Sequence, residues 1–234
     1  MTTVGSLFSG IGGLDLGLER AGMTVRWQVE NDPYCQMVLA KHWPDVPRYG
    51  DIKEVDPATL EPVDLICGGF PCQPVSLAGK RLAQADERWL WPEFFRVIRG
   101  VRPRIVVVEN VPGLVDRGLG DVLGDLATLG YDAEWDCIPA AVVGAPQLRK
   151  RLFLVAYPQG QPFWARLLPS EPPKVRWRRL SDGHSAGDTW PDCTGVCRVA
   201  HGVPARVDRL RGLGNAVVPQ VAEWVGRRIM AVAS

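Results

Sequence analysis

The chain has 234 residues, 46% of them hydrophobic and 23% charged, with a formal net charge of +1. That length suits one domain, or one domain with a small appendage, and the apolar content excludes wholesale disorder. No apolar run approaches the roughly 18 residues of a membrane span, Asp15 and Glu19 stand where a signal peptide needs apolar residues, and six cysteines are too few for a disulfide scaffold, so a cytoplasmic location is expected.

The near-neutral total conceals a split. Residues 1–141 hold 13 Lys/Arg against 20 Asp/Glu, whereas residues 142–234 hold 14 against 6. A basic half beside an acidic half points to a polyanion partner on one side only.

Over the first 156 residues, short β-prone runs alternate with helix-like stretches. VGSLFS (4–9) precedes LDLGLERAG (14–22), and VRWQVE (25–30) precedes DPYCQMVLAKHW (32–43). DLICGG (64–69) leads through a polar stretch to a predicted helix, WPEFFRVIRG (91–100). RIVVVEN (104–110) is followed by DVLGDLATLG (121–130), and RLFLVAY (151–157) closes the series. Continuous apolar strands separated by helices predict a doubly wound α/β fold with a buried parallel sheet. Such sheets bind ligands at the carboxyl ends of their strands.

Residues 157–206 lose this periodicity, carry seven prolines and the basic cluster KVRWRR (174–179), and read as an irregular inserted module. VVPQVAEWVGRRIMAVA (217–233) regains helical spacing and is expected to return to the sheet. The predicted organisation is therefore a discontinuous domain, 1–156 plus 207–234, around a 157–206 module.

Five segments offer chemistry. FSGIGG (8–13) is a glycine-rich strand-to-helix turn, suited to close ligand approach, and reads either as a cofactor turn or as a plain connection. Glu30, roughly 20 residues further on, ends the second strand, where an acid accepts ribose hydroxyls; Asp51 follows in GDI, where an adenine amino group can be met. In GGFPCQPVS (68–76), Cys72 stands in a loop stiffened by Pro71 and Pro74, unlike Cys35, Cys67 and Cys137, which read as small buried hydrophobes. Glu109 and Asn110 end the β-branched run VVVENV (106–111), where burial raises a carboxyl pKa, although a helix-start acid is equally compatible. Gln147, Arg149 and Arg151 alternate with period two into a strand, which predicts a fan on one face. Asn215 sits in RLRGLGNAVVP (209–219), a glycine-flanked turn before the last helix.

FSGIGG, END (30–32), GDI, GGFPCQ, ENV, QLRKR and GNAVVP together resemble the ordered motifs of the cytosine-5 DNA methyltransferase family, over roughly residues 4–156 and 206–230. The resemblance implies a methyltransferase-type, Rossmann-like sheet, S-adenosyl-L-methionine as methyl donor, and duplex DNA with a flipped-out cytosine as substrate. It implies donor contacts by Phe8, Gly10, Ile11 and Gly12, ribose binding by Glu30, and adenine contacts by Asp51 and Ile52. Leu90, Asn215 and Val217 complete that pocket by motif match. Cys72 matches the nucleophile, Glu109 the acid, and Arg149 and Arg151 the paired arginines of the catalytic site. Gln73, Ser76 and Gln147 are implied to meet DNA, with Arg176, Arg178 and Arg179 of the short module reaching bases or phosphates. Val143 replaces a frequent tyrosine, and ERWLWPEF (87–94) is bulkier than the usual fifth motif.

CTGVC (193–197) is half a zinc pattern without a second cysteine pair, so no metal is expected. A monomer acting beside a restriction endonuclease, or in phage protection, is the expected setting. The alternatives are a tRNA-methylating enzyme, a degenerate DNA-binding protein, and a nicotinamide dehydrogenase; the last lacks its GxGxxG turn.

Overall fold

A computed structural model describes residues 1–71, 89–145, 147–160 and 206–233. Five strands, β1 (Thr3–Leu7), β2 (Thr24–Val29), β3 (Arg48–Tyr49), β4 (Leu65–Gly68) and β5 (Ile105–Asn110), run parallel. Two more, β6 (Tyr131–Pro139) and β7 (Lys150–Pro158), join antiparallel, giving one seven-stranded sheet of order β3-β2-β1-β4-β5-β7-β6. The doubly wound α/β sheet is as expected, and its parallel strands are joined at one edge by an antiparallel pair. β6 passes directly into a short 3-10 turn (Ala140–Val143) with no crossover helix, so the chain returns in the opposite direction and β7 slots between β5 and β6. The reading of the sequence also omitted β6, whose mixed burial lacks a clean apolar run.

Both faces of the sheet are covered, and the strand residues divide between them by alternation. Val106 and Val108 of β5 and Leu152 and Leu154 of β7 face one core, with Trp91, Phe94, Val97 and Ile98 of α3 (Trp91–Val101) and Val122 and Leu126 of α5 (Leu119–Thr128). Ile105, Val107, Phe153 and Val155 face the other, with Leu14 and Leu18 of α1 (Gly13–Arg20) and Val221, Val225 and Ile229 of α7 (Pro219–Ala233). A one-turn helix, α4 (Leu114–Arg117), precedes α5, and α2 (Pro33–His42) links β2 to β3.

α7 lies directly on α1. A methyl group at Gly17 would come within 2.4 Å of both the Ala222 side chain and the Pro219 carbonyl, and one at Gly13 within 2.5 Å of the Val217 carbonyl. Only hydrogen fits there. α6 (Arg206–Asn215) leads into that contact, so RLRGLGN is a helix with Asn215 as its last residue, not a turn; its two glycines are tolerated because tertiary contacts override propensity.

Between β1 and β4 the strand order reverses, and the carboxyl ends of the strands open there into a cleft. No described helix is long and apolar enough to cross a membrane.

Gly17→Leu is expected to force α7 off α1 and lower unfolding stability by about 1–3 kcal/mol or more. Urea denaturation checks this; an unchanged midpoint would show that the two helices are not held at this spacing.

Candidate active site

A cavity of about 350 Å³ lies at the strand-order reversal, lined on one side by Phe8, Ser9, Gly10, Ile11 and Glu30, and on the other by Glu109 and Arg151. Asn215, Ala216 and Val217 form a third wall, and Gly69, Phe70 and Pro71 a fourth. Its volume falls within the range of small-molecule sites.

The glycine turn owes its shape to left-handed backbone at three points: Phe8 (φ 52), Gly10 (φ 56) and Gly12 (φ 82). Phe8 is the costly one, since a side chain seldom adopts this conformation. Glu30 fastens the turn: its Oε2 accepts the Gly10 N–H at 2.7 Å and its Oε1 accepts the Asp32 N–H at 2.8 Å. A carboxylate offers about four lone-pair sites, so both oxygens retain capacity for ligand hydroxyls. Asp32 caps α2 through the N–H groups of Tyr34 and Cys35, and its other oxygen lies 3.5 Å from Arg211 of α6, across the mouth of the cavity.

Four other residues assigned to the donor by resemblance do not line this cavity. Gly12 is buried, and a methyl group there would strike the Trp43 ring, so packing accounts for that glycine. Asp51 accepts the Lys53 N–H and caps a short 3-10 turn, Ile52–Glu54. Ile52 is in the core, with its carbonyl accepting from Arg96. Leu90 precedes α3 and accepts the Phe94 N–H. None of these four is on the cavity wall.

Below the turn is a polar cluster that the sequence reading missed. Asp15 is fully buried; its Oδ2 accepts from the Ser6 hydroxyl at 3.0 Å and its Oδ1 from the Gln28 amide at 2.9 Å. The Ser9 hydroxyl donates to Ser6 Oγ at 2.9 Å, joining β1, β2, α1 and the turn. Burial pushes the Asp15 carboxyl up to about 6, against the pull of the Gln28 and Ser6 hydrogen bonds. A signal was present: Asp15 lies three residues before the buried Leu18, on the apolar face of α1.

At the other wall, Glu109 is 7% exposed at the end of β5. Burial raises its carboxyl to about 7, opposed by the charges of Arg151 and then Arg149. Arg151 Nε stands 3.1 Å from Glu109 Oε1. That oxygen nevertheless has no hydrogen-bond partner, so the contact is an ion pair with its N–H aimed elsewhere. Gly69 makes room for the acid, since a methyl group there would be 2.7 Å from Glu109 Oε2. Asn110 Nδ2 donates to the Phe70 carbonyl at 3.0 Å, pinning the segment that ends at Pro71, one residue before Cys72.

The fan on one face is corrected. β7 begins at Lys150, so Gln147 lies in an exposed bend, because the backbone alternates only within the strand. Arg151 lines the cavity, whereas Arg149 turns away and donates from Nη2 to the Ala216 carbonyl at 2.9 Å. Cys35 and Cys67 are buried as expected, and Cys137 is half-buried. Cys72, Gln73, Ser76, Arg176, Arg178, Arg179 and CTGVC lie outside the described residues. Among the described residues, no group of three or more His, Cys, Asp or Glu is placed to hold a metal.

An open α/β sheet thus carries a glycine turn, the Glu30 carboxylate and a buried acid–arginine pair around one cavity. The C-5 cytosine-specific DNA methylase family model matches residues 2–183, and the chain belongs to that family. It is 37% identical over 180 residues to the Type II methyltransferase M.AquIA of Picosynechococcus, covering 68% of this chain and 73% of that one. It is 35% identical over 163 residues to M.NgoBI of Neisseria gonorrhoeae, covering 68% and 51%. Among solved structures, a prophage protein of E. coli assigned as a DNA modification methyltransferase aligns with TM-score 0.58 and 30% identity, over 68% of this chain and 47% of that one. The chain thus spans between about half and three quarters of the length of these relatives.

Because both buried acids have raised pKa values, the folded state holds their protons longer than the unfolded chain. Their stabilising effect is full below pH about 4 and is lost as pH rises through about 6 for Asp15 and about 7 for Glu109. Relative to wild type, Asp15→Asn is expected to flatten the lower part of this decline and Glu109→Gln the upper part, each by on the order of 1–3 kcal/mol. Unfolding stability measured from pH 4 to 8 checks it; parallel wild-type and variant curves would refute the burial assignment.

Proposed function

We propose that the chain is a DNA (cytosine-5-)-methyltransferase that uses S-adenosyl-L-methionine and a transient Cys72 adduct. The observation that carries this reading is the buried Glu109–Arg151 pair sharing one cavity with the glycine turn, Glu30 and the segment leading to Cys72. The donor fits the residues present: left-handed backbone in the turn, Glu30 with free acceptor capacity, and Asp32 and Asp208 near the cavity mouth suit a cationic, hydroxyl-bearing nucleoside. Phe8, Gly10, Ile11, Glu30, Asn215 and Val217 would hold it. When bound, it supplies an electrophilic sulfonium methyl.

The chain's own residues do the rest. Cys72 thiolate forms a bond to carbon 6 of the cytosine, and ring electrons move toward nitrogen 3 and the carbonyl oxygen. Glu109, its carboxyl raised by burial to about 7 and so part protonated at neutral pH, donates a proton to nitrogen 3, while Arg151 stabilises the oxygen. Carbon 5, now enamine-like, takes the methyl; its proton then leaves to water, the carbon–sulfur bond breaks to regenerate the thiolate, and nitrogen 3 returns its proton to the Glu109 carboxylate. A stacked base cannot reach this cavity, so the cytosine must flip out, at a cost of a few kcal/mol that DNA contacts offset. The designation of relatives as Type II methyltransferases supports a restriction-modification or phage-protection setting, with a cognate endonuclease as partner.

Cys72→Ala is expected to abolish tritiated methyl transfer to duplex DNA and covalent capture of 5-fluorocytosine DNA; retained transfer would overturn the mechanism, and transfer to tRNA alone the substrate. Glu109→Gln is expected to lower kcat by about 10²–10⁴. The wild-type pH profile should be bell-shaped. Activity rises as the cysteine, near 8.5 when free, ionises, and falls as Glu109 loses its proton above about 7. A profile in Glu109→Gln that keeps the alkaline fall would refute this assignment.

A further inference from the structure

We propose that Arg149 is a positioning residue of the donor pocket, not a contact to the base: its hydrogen bond to the Ala216 carbonyl holds the Asn215–Val217 wall in place. The inference rests on the reading that the cavity takes the methyl donor.

Arg149 and Arg151 are two residues apart where β7 begins, yet only Arg151 reaches the large cavity. Arg151 lines the large cavity beside Glu109. Arg149 is absent from that wall and lines a smaller neighbouring cleft with Ile138, Val217, Val218 and Val221, a cleft that Arg151 also borders. That cleft measures about 10 Å³, about what one water needs and far too little for a pyrimidine. Arg149 Nη2 donates to the Ala216 carbonyl at 2.9 Å, 67 residues away in sequence. Ala216 and its two neighbours are themselves cavity wall.

The same wall is held from the opposite side. Val217 lies against the first turn of α1, so close that only hydrogen fits at Gly13. Arg149 fixes one flank of the three-residue wall, and α1, which starts immediately after the glycine turn, fixes the other. The backbone of Arg149 is anchored as well, because its carbonyl accepts the Ala140 N–H at 2.8 Å. Arg149 is half-buried, its Nε is buried without a hydrogen-bond partner, and burial and then Arg151 lower its guanidinium pKa, although a guanidinium stays charged in proteins. A hydrogen bond from a charged donor in such surroundings is among the stronger kinds. Losing it frees the wall where Asn215 and Val217 meet the ligand.

The test measures S-adenosyl-L-methionine affinity by calorimetry without DNA, on wild type, Arg149→Met and Arg149→Lys. Arg149→Met is expected to weaken donor binding about tenfold or more, the loss of one charge-assisted hydrogen bond, and Arg149→Lys to restore part of it. Covalent capture of 5-fluorocytosine DNA at saturating donor should stay within about threefold of wild type, because no base contact is removed. If Arg149→Met fails to fold, Arg149→Lys, which keeps the charge and most of the volume, is compared with wild type in its place. Unchanged donor affinity with lost capture would overturn the proposal and return Arg149 to the base. A wild-type chain that binds no donor would instead overturn the function proposed above and this inference with it.

Discussion

The close approach of α7 to α1 is the constraint on which the cavity depends. A wall carried by residues beyond 206 can meet a turn formed by residues 8–13 only if the two helices touch at backbone distance, and the glycines at 13 and 17 permit it. Were either helix displaced by the width of a methyl group, Asn215, Ala216 and Val217 would retreat from Phe8 and Gly10 across the cavity they share. Packed interiors transmit such displacements because they have few voids to absorb them. The hydrogen bond from Arg149 and the Arg211–Asp32 pair then fasten the same wall at its other edges.

A second balance governs the reactive end. Glu109 is buried at the end of the sheet with Gly69 against its carboxyl, which favours its neutral form. Arg151 and Arg149 pull the other way. The result is an acid near the middle of the physiological range, able to give up and recover a proton. Asn110 contributes no proton, but its amide ties the Phe70 carbonyl to the strand that carries Glu109.

Much of this was legible in the residues. Apolar runs located β1, β2, β4, β5 and β7 to within one or two positions, because strands buried on both faces need no polar alternation. β6 escaped notice because its outer face is partly exposed and its pattern is mixed. Glu30 and Glu109 were legible because an acid at the end of an apolar strand is unusual. Asp15 was not, because a charge inside a helix reads as solvated until tertiary packing covers it. The direction of a side chain such as Arg149 depends on a partner 67 residues distant, which local spacing does not encode.

The reversed direction of β7 sets which charges can meet. Asn110, the last residue of β5, pairs with Leu152 near the start of β7, so the acid leaving one strand stands beside the arginine entering the other. A parallel strand in the same slot would present its first residues at the opposite rim, roughly 15–20 Å away at strand rise. The same Arg151 would then face the floor of the sheet and leave Glu109 without its counter-charge. Strand polarity, a property of chain tracing alone, therefore acts here as an electrostatic device: it brings an acid of the first half of the chain beside an arginine of the second.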